Sequence, residues 1–289
     1  MDINWGIFGH KQQLDLLGSA ISKKRLAHGY LFTGPEGVGK FTVAKKFAQA
    51  LLCLENSACD ACGQCKSIAL ANNADLTIID LKSKAIKIED IRELIYKLSL
   101  KPYMAAFKVA IINDAQNLTM EAANALLKNL EEPKGGTVIV LVTSNYKALP
   151  STIVSRLQKI NFGLVRESEY QPLQVQKSET VRLLGLGKPG LIKRLTEDKE
   201  FFEEQSKIVR DYAILQDDLI ERLKLAAELA DQETDQILQV LRTWIELGKT
   251  KVAEEKANVL LVRSLEETRQ LIESNVNAKL SLSVLMMQY

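Results

Sequence analysis

The chain runs to 289 residues, 46% of them hydrophobic and 26% charged, enough for two or three domains with a sizeable hydrophobic core. Lys and Arg number 38 against 36 Asp and Glu, so bulk charge does not announce nucleic-acid binding, and only a local basic face would escape that average. Met1-Asp2-Ile3-Asn4-Trp5-Gly6 lacks the basic start and apolar run of a signal peptide, and no apolar run approaches the roughly 20 residues that span a bilayer, so a soluble, cytoplasmic protein is expected.

Residues 7–27 carry a helical pattern through Leu14, Leu16, Leu17, Ala20 and Ile21. The Lys23-Lys24-Arg25 run reads as a solvated helix end, with phosphate contact as the alternative. His10 and His28 have no carboxylate or cysteine at catalytic spacing and read as structural hydrogen-bonding residues. Tyr30 to Thr33 is the first predicted strand, and a glycine-rich turn leads from it into a helix from Lys40 to about Leu54. Across Gly34-Pro35-Glu36-Gly37-Val38-Gly39-Lys40, the first glycine, four residues, a second glycine and lysine fit a phosphate-binding loop. Backbone N–H groups, the lysine and the positive helix end can together cradle a polyphosphate such as ATP or ADP. Such loops place Ser or Thr after the lysine to ligate Mg²⁺, and here that residue is Phe41. Thr42 lies about 100° further round a helix, so it replaces the missing hydroxyl only if the helix start shifts.

All four cysteines, Cys53, Cys59, Cys62 and Cys65, fall in one short window. Two C-x-x-C steps sharing Cys62 supply four thiolates, enough for a closed, structural zinc site, with redox pairing or an iron–sulfur cluster as alternatives. A helix through Ile68, Ala69 and Leu70 follows, then a second strand, Leu76 to Asp80, and a helix from about Glu89 to Leu100 that Lys101-Pro102 breaks. Lys108 to Asp114 and Thr137 to Ser144 are almost wholly apolar, as expected of central parallel strands covered on both faces. Between them Thr119 is a predicted N-cap, with Glu121 in the first turn of a helix that buries Ala122, Ala123, Leu126, Leu127 and Leu130 and stops at Pro133. A short helix near Pro150 to Arg156 leads to a fifth strand, Leu157 to Phe162. Strands and helices alternating at this spacing predict a doubly wound parallel sheet.

Asp114, at the end of an apolar strand, can hold Mg²⁺ while the loop holds phosphates. A glutamate normally follows to activate water, and here the next residue is Ala115, which cannot accept a proton. Hydrolysis by the chain's own site is therefore not expected, and the substitutions argue against Mg²⁺ there. Strand signals stop after Gly163. Residues 164–180, with Glu167, Glu169, Gln171, Gln174, Gln176 and Glu179, read as a linker or lid connection. Two short helices around Gly187-Lys188-Pro189-Gly190 predict a small second domain. From about Phe201 onward the pattern is helical, with leucine stripes (Leu219, Ile220, Leu223, Leu225; Ile237, Leu238, Leu241; Leu260, Leu261, Leu265, Leu271; Leu280, Leu282, Leu285) read as bundle core first and partner surface second.

Leu118-Thr119, Glu121 to Lys128, Leu130-Glu131-Glu132-Pro133 and Ser155-Arg156 resemble motifs of the bacterial DNA polymerase III clamp-loader subunits. Gly9-His10, Ala27-His28 and the cysteines after the loop helix extend the likeness over about residues 5–162. Within that gamma/tau and delta-prime group, the pattern is most similar to the delta-prime type. The resemblance implies an AAA+ domain over 1–163 with the zinc module at 53–65, a small helical lid over 164–200, and an all-α collar that holds a ring together over 201–289. It implies a role in DNA replication as part of the DNA polymerase III holoenzyme, with gamma/tau-like and delta-like subunits as partners, and the sliding clamp and primed DNA reached through the complex. Arg156 matches the arginine of the family's Ser-Arg-Cys motif, which reaches a neighbour's ATP; the cysteine is Leu157 here. By position alone Arg156 reads first as a helix-end surface arginine, and the surrounding motif reverses that order. Thr143 or Ser144 lies where the family senses the γ-phosphate, a simple strand-end hydroxyl being the other reading. Lys193 and Arg194 fall near where active members carry a second sensing arginine. A gamma/tau-like motor and a zinc-stabilised interaction module without nucleotide are the two competing functions.

Overall fold

The computed structural model describes residues 5–81, 84–133, 136–170, 178–216, 218–252 and 257–288. They form two compact units, one of Met1–Pro172 with Gly187–Gly190, the other of Leu173–Leu186 with Leu191–Tyr289.

The first unit is built on five parallel strands in the order β2-β3-β4-β1-β5: β1 Gly29–Thr33, β2 Leu76–Ile79, β3 Lys108–Ile112, β4 Thr137–Thr143 and β5 Gln158–Asn161. Every residue of β1, β3 and β4 is buried, which is why their sequences are apolar runs without alternation. β5 lies at an edge and exposes Gln158, Lys159 and Asn161. On one face, α1 (Lys11–Ser22) and α2 (Lys40–Leu52) pack Leu17, Val43 and Phe47 against Tyr30, Phe32, Val109 and Val140. On the other, α4 (Ile88–Ser99), α5 (Met120–Glu131) and α6 (Ser151–Val154) pack Ile91, Leu94, Leu126 and Ile153 against Leu31, Ala110, Ile112 and Ile139. Helix α3 (Gly63–Ala69) closes the cysteine module that follows α2.

Local signals set the element ends. Thr119 Oγ1 accepts the Ala122 N–H at 3.2 Å to open α5, and the Asp90 carboxylate accepts the Lys87 N–H at 2.8 Å to open α4. β3 ends at Ile112, because Asp114 adopts a left-handed conformation with φ 49°. Asp75 is buried; burial alone would raise its carboxyl, but N–H groups of Tyr103, Met104 and Ala105, with Lys108, hold it below the ordinary range. That carboxylate pins the turn before β3.

Part of the expected linker is built into the first unit. Glu167–Tyr170 forms a helical turn, α7; the Val165 N–H donates to the Gly187 carbonyl at 2.9 Å, and the buried Tyr170 hydroxyl accepts the Gly187 N–H at 3.0 Å. The glutamines at 171, 174 and 176 lie outside the described residues.

The second unit is helical: α8 Glu179–Leu184, most of α9 Pro189–Glu197, α10 Lys199–Ile214, α11 Leu219–Ala230, α12 Thr234–Val252, α13 Ala257–Glu273 and α14 Ala278–Met287. Trp244 is fully buried, and its indole N–H donates to the Ile208 carbonyl at 3.0 Å. Ile237, Leu241, Ile245, Leu265, Ile272, Leu282 and Leu285 form core, whereas Ile220, Leu260, Leu271, Leu280 and Val284 are exposed, so the leucine stripes are wider than the core they serve. No helix among the described residues is long and apolar enough to cross a membrane.

Candidate functional site

β1 ends at Thr33 between β4 and β5, and the chain must turn at once into α2 across the strand tips. Gly34, Gly37 and Gly39 make that turn with φ of 143°, 78° and 100°. A Cβ at Gly34 would stand 1.9 Å from the Phe162 carbonyl oxygen, so only glycine fits there. His10 Nε2 donates to the Val38 carbonyl at 2.9 Å from beneath the loop. Burial holds its imidazole below the ordinary value, against the pull of that bond.

α2 starts at Lys40, with Phe41 and Thr42 in its first turn. The Lys40 ammonium is buried and donates to the carbonyls of Gly34 at 2.7 Å and Pro35 at 2.6 Å. Burial brings it down to about 8 despite the nearby charges of Glu36 and Asp114. Phe41 packs against the core on the α2 face of the sheet, with Lys45 Nζ 4.7 Å from its ring centroid. It offers no oxygen to a metal.

Asp114 and Thr143 meet through Gln116, a residue that the sequence motifs do not single out. The Thr143 hydroxyl donates to Gln116 Oε1 at 2.6 Å, and Gln116 Nε2 donates to Asp114 Oδ1 at 3.2 Å. The Ser144 hydroxyl donates to Glu36 at 3.3 Å, tying the fourth strand's end to the loop. Burial, helped by the charges of Glu36 and Asp80, raises the Asp114 carboxyl above its ordinary range. Ala115 beside it is fully buried. This donor set fits a phosphate group, through the loop amides and Lys40. It lacks the hydroxyl through which such loops ligate Mg²⁺, because Phe41 stands where that Ser or Thr would be.

Gly190 closes over the same loop. A Cβ there would stand 2.7 Å from Gly39 Cα and 2.8 Å from the Gly37 carbonyl oxygen, so the 187–190 turn lies backbone to backbone on the glycines. Lys193 and Arg194 are engaged within the helical unit, Lys193 with Glu197 at 3.7 Å and Arg194 over the Phe201 ring at 3.6 Å.

Arg156 lies at the other end of the sheet. Gln158 opens β5 beside Tyr30, whereas the phosphate loop leaves β1 from Thr33 beside Asn161. The guanidinium pairs with Glu131 at 2.5 Å through NH2 and donates to the Thr152 carbonyl at 2.7 Å through NH1, yet the side chain stays 36% exposed. Leu157, in the place of the motif's cysteine, is buried against Leu130 where Gly29 leaves room for it.

The four cysteine sulfurs lie within 4.8 Å of one another. Cys53–Cys59, Cys53–Cys62 and Cys59–Cys65 are separated by 3.6, 3.9 and 3.9 Å. A tetrahedral ion with sulfur at about 2.3 Å demands a sulfur–sulfur edge of about 3.8 Å, whereas a disulfide would need about 2.0 Å. The cluster can hold zinc. Backbone hydrogen bonds outweigh burial and bring the Cys53 thiol down to about 6, while burial pushes Cys65 up to about 12. A bound dication would stabilise all four as thiolates. Gln49 Nε2 donates to Asp60 at 2.6 Å and Lys46 pairs with it at 3.3 Å, fastening the module to α2.

A family model described as "DNA polymerase III, delta subunit" matches residues 9–165. The chain is 33% identical over 224 residues to DNA polymerase III subunit delta' of Bacillus subtilis, a match covering 74% of this chain and 68% of that protein. It is 28% identical over 260 residues to DNA polymerase III subunit tau of the same organism, covering 84% of this chain but only 46% of that longer protein. The crystal structure of a DNA polymerase III gamma subunit-related protein from Thermotoga maritima superposes with a TM-score of 0.56 at 21% identity, over 96% of this chain and 98% of that one. The parallel sheet with its helical C-terminal unit is the AAA+ fold of such proteins.

Proposed function

We propose that this chain, which belongs to the DNA polymerase III delta-subunit family, works in a clamp loader as the delta-prime-like subunit that lends an arginine to ATP held by its neighbour. That it is a clamp-loader subunit of the delta-prime and gamma/tau kind follows from the matches; the finer role rests on how chemistry is divided between the two ends of its sheet. The carrying observation is Arg156, held by Glu131 and Thr152 at the end away from the phosphate loop, with donors left over for an incoming anion. The loop end supports the same reading, because Phe41 and Ala115 stand where a metal-binding hydroxyl and a water-activating carboxylate would be.

Nucleotide bound by the neighbour supplies the γ-phosphoryl group on which negative charge builds during hydrolysis. Arg156 meets that charge with a fixed, doubly hydrogen-bonding cation, and an arginine supplied in trans is worth ~10³–10⁵ in rate. Lys40 and the loop amides keep a grip for ATP or ADP in this chain's own loop, a binding role without turnover. The four cysteines hold a structural zinc ion that fixes the module after α2. Residues 164–200 act as a lid and 201–289 as the ring's collar, and sliding clamp and primed DNA are engaged through gamma/tau-like and delta-like partners.

The test is Arg156→Ala in a complex reconstituted with those partners, followed by DNA-stimulated ATP hydrolysis. Hydrolysis at the adjoining site is expected to fall by ~10³-fold or more. Unchanged hydrolysis overturns the reading, as does turnover by the isolated chain at the rate of the whole complex.

A further inference from the structure

We infer that Glu131 is a positioning residue that sets the Arg156 guanidinium for a neighbouring phosphate; the inference rests on the trans-arginine role proposed above. Glu131 is the last residue of α5, and Pro133 prevents the helix from continuing past it. Its Oε1 lies 2.5 Å from Arg156 NH2, while NH1 donates to the carbonyl of Thr152 on α6 at 2.7 Å. Two acceptors on two different elements hold two different nitrogens, which fixes the plane of the fork as well as its position. A guanidinium has five N–H donors, so these two bonds leave others for an anion.

The loop carrying the arginine is gripped on its next residue too. Leu157 is buried beside Leu130, in space that exists only because Gly29 has no side chain: a Cβ there would stand 2.4 Å from Leu157 Cδ2 and 3.4 Å from Leu130 Cδ2. Neighbouring residues of α5 thus hold neighbouring residues of the loop, Leu130 by packing and Glu131 by charge. The Glu131 side chain is 48% exposed, so its ion pair adds little to stability. What it supplies is orientation, which matters when charge develops on the phosphoryl group and not when the ground state binds.

The test uses the reconstituted complex with Glu131→Ala, Glu131→Gln, Arg156→Ala and the double variant Glu131→Ala/Arg156→Ala. Expected for Glu131→Ala is a fall in kcat for ATP of about tenfold, short of the ~10²-fold of a full 1 Å misplacement, with KM changed by less than about twofold. Glu131→Gln, which keeps the shape and an acceptor oxygen, retains more of the rate, and it carries the test if the alanine variant fails to fold. The double variant is expected to be no slower than Arg156→Ala alone. If Glu131→Ala and Glu131→Gln both keep the full rate while Arg156→Ala loses it, the inference is overturned and the trans-arginine role stands. The same holds if Glu131→Ala slows the Arg156→Ala background as much as the parent. If Arg156→Ala itself has no effect, it is the underlying reading that fails.

Discussion

On the proposed reading, Lys40 keeps the loop's grip on phosphate where the metal-binding hydroxyl is missing. Its ammonium bonds two carbonyls of its own loop and sits low, at about 8, because burial disfavours the charge. The cation is therefore complete well below pH 8, about half present near pH 8, and lost as pH rises through it. Since Phe41 supplies no oxygen, nucleotide binding by the isolated chain is expected to be the same with Mg²⁺ and with EDTA, and to weaken as pH rises through 8. A fluorescent-nucleotide titration at several pH values checks both; binding that requires Mg²⁺ would contradict the metal-free grip. Gln116 carries the complementary lesson. Nothing about a glutamine two positions after an aspartate marks it in a sequence, and its place between Thr143 and Asp114 exists only once β3 and β4 lie side by side. Glu131 falls within a motif, but its pairing with Arg156 is silent there, because that partner lies 25 residues away and on another element.

Individual elements were the most legible part of this chain. β3 and β4 announce themselves because strands covered on both faces have no polar position to alternate with, and α5 because a threonine cap opens it and a proline closes it. The leucine stripes of the C-terminal helices are legible as helix throughout and as core for most but not all of their residues. Spacing says which residues share a face, while only packing says whether that face is covered, and Leu260, Leu271 and Leu280 are exposed. The cysteine module is the element whose spacing pointed to a metal site, and the sulfur separations fit the edge of a tetrahedron. Metal analysis in reducing buffer is expected to give about one zinc ion per chain. Chelation should unfold the module locally and lower the thermal midpoint of the AAA+ unit, because zinc sites of this kind contribute roughly 10–16 kcal/mol in small peptides. A chain without zinc whose melting is indifferent to chelator would remove the zinc assignment.

At the scale of the whole molecule, the proposed role has the chain separate two tasks that a self-sufficient ATPase subunit combines. The loop end of its sheet keeps Lys40 and the glycines, with a glycine turn from residue 190 laid over them, and lacks the groups for turnover. The end where β5 begins presents a positioned arginine. Ring assembly is what makes such a division useful, and the exposed apolar residues of α11, α13 and α14 suit the collar role proposed for the helical unit. Single-turnover hydrolysis of ATP preloaded on the reconstituted complex tests this division most directly, comparing Arg156→Ala with Lys40→Met in this chain. The expected result is a rate at the adjoining site slowed by ~10³-fold in the arginine variant and unchanged in the lysine variant. A lysine variant that stops hydrolysis beside an arginine variant that does not would mean that the chain is a motor in its own right.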